Sequence, residues 1–376
     1  MLTFCQYKSK KAKTFRSSRA RIIIALASFI NKKITFSSFW SYKLLQTEKT
    51  LLKTLLCLLK GQPLKKRLEH DLLGDKEVPH GAYYGIQTLR SHENFDITSV
   101  TLSQFPTFIA SLAKVKKAVA LANFELELLD EEKKDAICDA CDEIIEGKLH
   151  DEFIVDMIQG GAGTSINMNI NEVIANRGLE ILGHKKGEYK YLHPNNHVNL
   201  SQSTNDAYPT AFRITLYEKI YELIDSMKIL RASFAKKADE FHDVIKMGRT
   251  QLQDAVPMTL GQEFNTYVVM IDEDMQRLKE AQQLVREMNL GATAIGTGIN
   301  SHPEYIKVVE QKLQDVTGRP FKTAKNLIEA TQDTGAYIQI SGVFKRVVTK
   351  ISKICNDLRL LSSGPRAGFN EINLPA

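Results

Sequence analysis

A chain of 376 residues has room for two or three domains and a sizeable core. Its 43% apolar and 25% charged content is that of a folded globular protein and excludes a low-complexity or disordered chain. The net charge of +6 hides a split: residues 1–67 carry 16 Lys and Arg against the single acid Glu48, whereas residues 68–376 carry 34 against 43 acids. The body is therefore acidic, which argues against nucleic-acid binding.

Five cysteines (Cys5, Cys57, Cys138, Cys141 and Cys355) are too sparse for a disulfide framework. They fit a reducing compartment, and the cytoplasm is expected. Residues 1–63 are basic and rich in Ser and Thr, and read as an extension outside the folded body. The apolar run 22–30 is too short to span a bilayer. A signal or transit-like leader is the alternative, but no clean cleavage pattern follows. The leucine-rich stretch 50–60 is an amphipathic helix candidate, suited to a membrane surface or to packing on the body. No stable membrane insertion is expected.

Residues 69–79 are polar, with turn signals at Gly74 and Pro79. Helices are predicted over 108–129 and 131–146, the second capped by Asp130 and closed by Gly147. Cys138 and Cys141 fall within it. One C-x-x-C pair, without a second pair or a nearby His, reads as helix coincidence and not as a metal site.

The stretch 160–173 combines glycines with Thr164, Ser165, Asn167, Asn169 and Asn171. Glycines let backbone approach a ligand closely, and hydroxyls and amides supply directed hydrogen bonds. The stretch lacks the third glycine of a dinucleotide fingerprint and the lysine of a phosphate loop. His193 and His197 are separated by Pro194, lack a third ligand, and read as a loop.

Gln202-Ser203-Thr204-Asn205-Asp206 precedes a helical pattern, with Pro209 in its first turn. This is N-cap chemistry, and the same positive helix end can hold an anion. The helix is predicted over 211–246, ended by Gly248. A third polar cluster, 248–257, contains Thr250 and Gln251. Thr259 and Gln262 form a capping box that opens a second long helix, running to Met288. Residues 291–298 form a small-residue turn, and a third long helix spans 337–361, stopped by Gly364-Pro365. No strand pattern of comparable strength is seen. The expected fold is mainly α: an N-terminal helical domain over 64–205, then a long-helix bundle over 206–376 that is incomplete at its C-terminus. The broad apolar faces of the bundle call for partners from other copies or from further helices.

The three polar clusters, together with 290–300 and 352–375, resemble the fumarase/aspartase superfamily, and its aspartase branch closely. The resemblance covers residues 67–376. It implies a homotetramer whose sites draw on three subunits, and reversible elimination of ammonia from L-aspartate to give fumarate. No organic cofactor is implied, although magnesium or another divalent cation activates some members. The chemistry suits the residue types, because removing a proton beside a carboxylate builds a second negative charge on it. Preorganised neutral donors and helix N-termini hold such charge.

Position by position, Thr164 resembles the threonine that contacts the β-carboxylate and ammonium. Ser203 and Thr204 resemble the pair reaching the carboxylates, and Asn205 the asparagine near the ammonium. Thr250 resembles the threonine of the second-domain cluster. Gln251 stands where many members have histidine, which favours the aspartase branch. The family's base is a serine in a Gly-Ser-Ser loop that follows a segment matching 370–375, and residues 1–376 hold no such loop. Ser362 and Ser363, at a helix end, are not substitutes. The catalytic residue is therefore unassigned, and the chain is expected to carry a substrate-binding half-site and to be inactive alone. The alternatives are a fumarate hydratase, disfavoured at 202–204 and 250–252, and a non-catalytic subunit or fragment of the same fold.

Overall fold

The computed structural model describes residues 65–160 and 163–374. The expected extension 1–63, its apolar run 22–30 and the amphipathic stretch 50–60 lie outside the described residues.

The polar stretch around Gly74 is a hairpin of two antiparallel strands, β1 (Lys66–Asp71) and β2 (Gly74–Pro79). Gly74 takes a φ of 104°, which the tight turn after Leu72-Leu73 requires. The hairpin leads to helix α1 (Ile86–Asn94), whose N-cap Gly85 has no side chain to offer. Two buried carboxylates replace it. Glu172 accepts from the backbone N–H groups of Gly85, Gln87 and Thr88, and Glu69 from that of Ile86. Orphan donors at a helix start must find acceptors, and anions there gain from the helix dipole.

Helix α2 (Pro106–Glu125) opens with proline in its first turn, and α3 (Glu131–Ile145) is capped by the Asp130 carboxylate accepting from Lys133 N–H. Cys138 and Cys141 pack into the core beside α2 residues such as Leu112 and Val119. Burial pushes the Cys138 thiol up to about 11, so both cysteines act as small apolar side chains. Helix α4 (Thr164–Ile181) crosses this core. The same core takes in Ala207, Ala211 and Ile214, and also Tyr305, Val309 and Leu313 of the later helix α7 (Tyr305–Thr317).

The long helices follow: α5 (Thr204–Glu240), α6 (Leu260–Leu284) and α9 (Gly335–Leu361), with the short α8 (Leu327–Gln332) before the last. Ile220, Ile224 and Met227 of α5 meet Ile271 and Leu278 of α6 and Ile340 and Val347 of α9 in one apolar seam. Farther along, the Tyr267 ring meets those of Phe234 and Phe264 edge-on, and Ile354 closes the layer. Ile229, Val269, Ile338 and Val348 stay more than half or nearly half exposed on these helices, at 72%, 49%, 69% and 66%.

Three expectations are corrected. The first long helix ends at Glu240 and not at Lys246. Ile245–Thr250 is instead strand β3, paired antiparallel with β4 (Gln253–Thr259). The apolar period through Phe241 and Ile245 continues past the true helix end, but β-branched Val244 and Ile245 suit an extended chain. Gly261 fixes the reversal: its N–H donates to Phe241 O, and a Cβ there would lie 2.5 Å from the Ala238 carbonyl. The second long helix stops at Leu284, and Glu287–Met288 pairs in parallel with Lys322–Thr323 (β5 and β6). His193 and His197 lie in a single wide turn, Pro194–Val198. There His193 Nδ1 accepts from the N–H groups of Asn195 and Asn196, and His197 Nδ1 from that of His193. Both rings cap backbone.

Candidate functional site

Two helix N-termini meet. Gly163, at φ 89°, precedes α4, and a Cβ on it would lie 2.4 Å from the Tyr208 ring in the second turn of α5. Only glycine permits that approach. It brings Thr164, which is exposed, beside the partly buried Ser203, Thr204 and Asn205 at the start of α5.

Ser203 is the N-cap. Its Oγ accepts from Asn205 N–H at 3.2 Å, while Asp206 Oδ1 accepts from Ser203 N–H at 2.9 Å, which completes a capping box. Thr204 Oγ1 accepts from Asn167 Nδ2 at 3.1 Å, linking α5 to α4 one turn beyond Thr164. Asn205 Nδ2 donates to Ala294 O at 2.8 Å, and Asn205 O accepts from Asn289 Nδ2 at 2.9 Å.

Beneath these residues lies Lys116 of α2, 1% exposed. Its Nζ donates to Asn167 Oδ1 at 2.8 Å, Asn199 Oδ1 at 2.9 Å and Gln202 Oε1 at 2.8 Å. Burial pushes this amine down to about 7, with the Asp206 carboxylate pulling the other way. Three carbonyl acceptors match the three N–H bonds of an ammonium, a geometry that favours the charged form. Asp206 is also buried, and burial pushes it up to about 6 against the N–H groups of Ser203, Thr293 and Gly291. The result is a layer of neutral side chains fixed from below by one lysine and one aspartate. Such a layer presents donors and a positive helix end to an anion without offering a competing carboxylate at its surface.

Thr250 and Gln251 lie elsewhere. Gln251 and Leu252 form the two-residue turn between β3 and β4, with φ of 52° and 63°. All three residues are exposed. The hairpin lies past the far end of α5, and a helix of 37 residues is roughly 55 Å long at 1.5 Å per residue. One chain therefore gathers Thr164, Ser203, Thr204 and Asn205, and holds Thr250 and Gln251 apart from them. Along β3, Glu371 pairs with Arg249 near the turn and with Lys246 nearer the root, the latter at 3.2 Å. Arg249 also lies 4.0 Å over the Phe369 ring. Ser362 and Ser363 turn their hydroxyls to Arg359 O and Leu360 O, closing the end of α9.

Sequence reading passed over Lys116, Asn199 and Asn289, and read Asp206 only as part of a helix cap. Lys116 carried one signal: it follows Leu112 by four and Ala113 by three, on the buried stripe of its helix. Among the described residues no group of three or more His, Cys, Asp or Glu is placed to hold a metal ion. No helix among them is long and apolar enough to cross a membrane.

A family model described as a lyase matches residues 74–376. The aspartate ammonia-lyase of Helicobacter pylori is 66% identical over 309 residues, covering 82% of this chain and 66% of its own length. The crystal structure of fumarate lyase:delta crystallin from Brucella melitensis bound to cobalt is 52% identical, with a TM-score of 0.82 over 83% of this chain and 68% of that one. The recombinant class II fumarase of Schistosoma mansoni is 36% identical, with a TM-score of 0.78 over 81% and 67%. This chain thus spans just under two thirds of the length of the Helicobacter pylori relative, 66%.

Proposed function

This chain belongs to the lyase family whose model it matches, in the fumarase/aspartase superfamily, and we propose that it serves the reversible elimination of ammonia from L-aspartate to give fumarate. The observation that carries the reading is the meeting of two helix N-termini lined by Thr164, Ser203, Thr204 and Asn205. Identity supports ammonia over water as the leaving group, at 66% to a protein named aspartate ammonia-lyase against 36% to a class II fumarase.

In this proposal the N–H groups opening α4 and α5, with the Thr164 and Thr204 hydroxyls, hold the substrate carboxylate beside the carbon that loses its proton. The second negative charge that then builds on that carboxylate meets donors already in place, so little reorganisation is needed. Asn205 Nδ2 is engaged by Ala294 O, which leaves Oδ1 to accept from the substrate ammonium. No residue of this chain is assigned as the base. Thr250 and Gln251 reach the site only from another copy, and a homotetramer is the assembly we propose. Neither an organic cofactor nor a metal carries a step, and magnesium enters the assay as a variable. The sparse cysteines support a cytoplasmic setting.

The test follows ultraviolet absorbance of fumarate's conjugated double bond with L-aspartate or L-malate as substrate, alongside calorimetric binding of L-aspartate. Fumarate from aspartate alone supports the reading. So does aspartate binding, without turnover, that Thr204→Ala removes. Fumarate from malate shifts the assignment to a hydratase, and the absence of both turnover and binding ends it.

A further inference from the structure

The segment 289–298 supplies no side chain to the substrate in the chemistry above, yet it is fastened to the site at several points. Asp206 is fully buried, and a capping box needs only one of its oxygens. Oδ1 accepts from Ser203 N–H. Oδ2 accepts from the backbone N–H groups of Gly291 at 3.1 Å and Thr293 at 3.0 Å, which lie 85 and 87 residues farther along the chain. The next residues of each partner are joined as well, Asn205 Nδ2 to Ala294 O at 2.8 Å. A third strut is Asn289, whose Nδ2 donates to both Asn205 O at 2.9 Å and Thr331 Oγ1 at 3.1 Å.

This fastening holds the loop in a conformation its residues resist. Gly291 and Gly296 have φ of 92° and 101°, which glycine accepts. Thr293 has φ 56°, and a β-branched residue in the left-handed region is a true outlier that persists only when its surroundings over-determine it. Its hydroxyl is buried and has no partner, so the side chain does not explain the strain. Its N–H, aimed at Asp206 Oδ2, does. On the loop's other side, a Cβ at Gly296 would lie 2.4 Å from the Ile328 backbone, so the loop is wedged between α8 and the start of α5.

The geometry points to Asp206 as a positioning residue: one carboxylate locks the 289–298 loop onto the first turn of α5, and that lock fixes Thr204 and Asn205 against Thr164. The inference rests on the substrate site proposed above and deepens it. Asp206 touches no substrate in this arrangement, since Ser203, Gly291 and Thr293 take both its oxygens.

Charge and positioning predict opposite signs, and this makes the lock testable. Asp206→Asn removes a negative charge close to where a dicarboxylate would bind. With the Lys116 amine held charged by its three carbonyl acceptors, electrostatics alone should tighten binding. The variant also turns an N–H₂ group toward backbone N–H donors, so one side of the lock must open. We expect calorimetric affinity for fumarate and L-aspartate to fall roughly tenfold, as misplacement of binding groups entails. Hydrogen exchange at the Gly291 and Thr293 amides should rise with it. Asn289→Ala removes the third strut without touching a buried charge. It should weaken binding in the same direction, which serves if Asp206→Asn fails to fold. Val347→Ala, in the bundle seam far from the loop, is the stability control: it should lower the melting temperature and leave affinity unchanged. Unchanged or tighter binding by Asp206→Asn overturns the lock, as does an equal loss in Val347→Ala. Absence of binding by the wild-type chain overturns the substrate reading itself, and is seen before any variant is made.

Discussion

The two ends of helix α5 carry the same kinds of side chain in opposite states. At its start, Ser203, Thr204, Asn205 and Asp206 are each tied to the rest of the chain by named hydrogen bonds, above a buried lysine. Beyond its end, Thr250 and Gln251 stand exposed on a hairpin whose backbone turns through two left-handed residues. The first end is preorganised within one chain, and its polar groups face each other because α2, α4 and the 289–298 loop converge there. The second is pinned along β3 by the Glu371 pairs with Lys246 and Arg249, and open at its tip. A site that needs both ends is complete only when tip and start come from different copies.

Breaking the preorganised end should have the largest effect. Lys116→Met leaves Asn167 Oδ1 and Gln202 Oε1 without a donor, while Asn199 Oδ1 keeps the one from Asn167 Nδ2, and each acceptor so stranded costs about 1–3 kcal/mol. We expect a loss near 3 kcal/mol in denaturant unfolding, together with loss of aspartate binding. The pH dependence sharpens this. The folded amine titrates at about 7 and the unfolded one at its usual 10.5, so between these values the unfolded state holds the extra proton. Wild-type stability should therefore rise with pH across that window, by at most about 1.4 kcal/mol per unit, relative to Lys116→Met. A flat difference between the two curves would show that the ammonium persists when folded.

Separating the cap from the ligand contact is the next test. Ser203→Ala removes a true N-cap and should cost about 1 kcal/mol of stability. Thr204→Ala removes a hydroxyl that only accepts from Asn167, so stability should change by less than about 1 kcal/mol while aspartate affinity falls. If Ser203→Ala left stability unchanged, the contrast drawn between these neighbours would be lost.

How much of this was legible follows the range of the interactions. The caps at Asp130, Ser203 and Thr259 were readable because donor and acceptor sit within three residues of one another. The resemblance drew its candidate residues from three separate polar stretches, and within one chain the start of α4 that carries Thr164 meets the start of α5 that carries Thr204 and Asn205. The β3–β4 hairpin was not readable. The spacing of Phe241 and Ile245 prolongs a helical period, and the strands' apolar side chains, among them Ile245 and Val256, face outward and give no core pattern. Lys116 was visible only as a lysine on an apolar stripe, since its acceptors arrive from 51, 83 and 86 residues away. Asp206 was read as a capping residue, and nothing local announced that Gly291 and Thr293 would share its second oxygen.

The smallest expected effect lies at the open end, and it tests whether the tip is kept for something other than stability. Two-residue hairpin turns with φ above zero at both positions favour Asn-Gly. Gln251-Leu252 lacks both, and Leu252 leaves 66% of its surface exposed. A non-glycine residue in the left-handed region costs roughly 1 kcal/mol, so Leu252→Gly should stabilise residues 245–259 by up to that amount, less the entropy glycine adds to the unfolded chain. Amide exchange across the β3–β4 pairs reads this directly. The change removes no contact within the chain's own core, so melting of the bundle should barely move. If instead Leu252→Gly lowers the melting temperature and shifts the protein toward smaller species in light scattering, the exposed leucine is buried by another copy, and the strain at the tip is maintained by assembly. If exchange slows and the assembled state is unchanged, the tip contributes only the groups at 250 and 251, and the left-handed backbone is there to aim them.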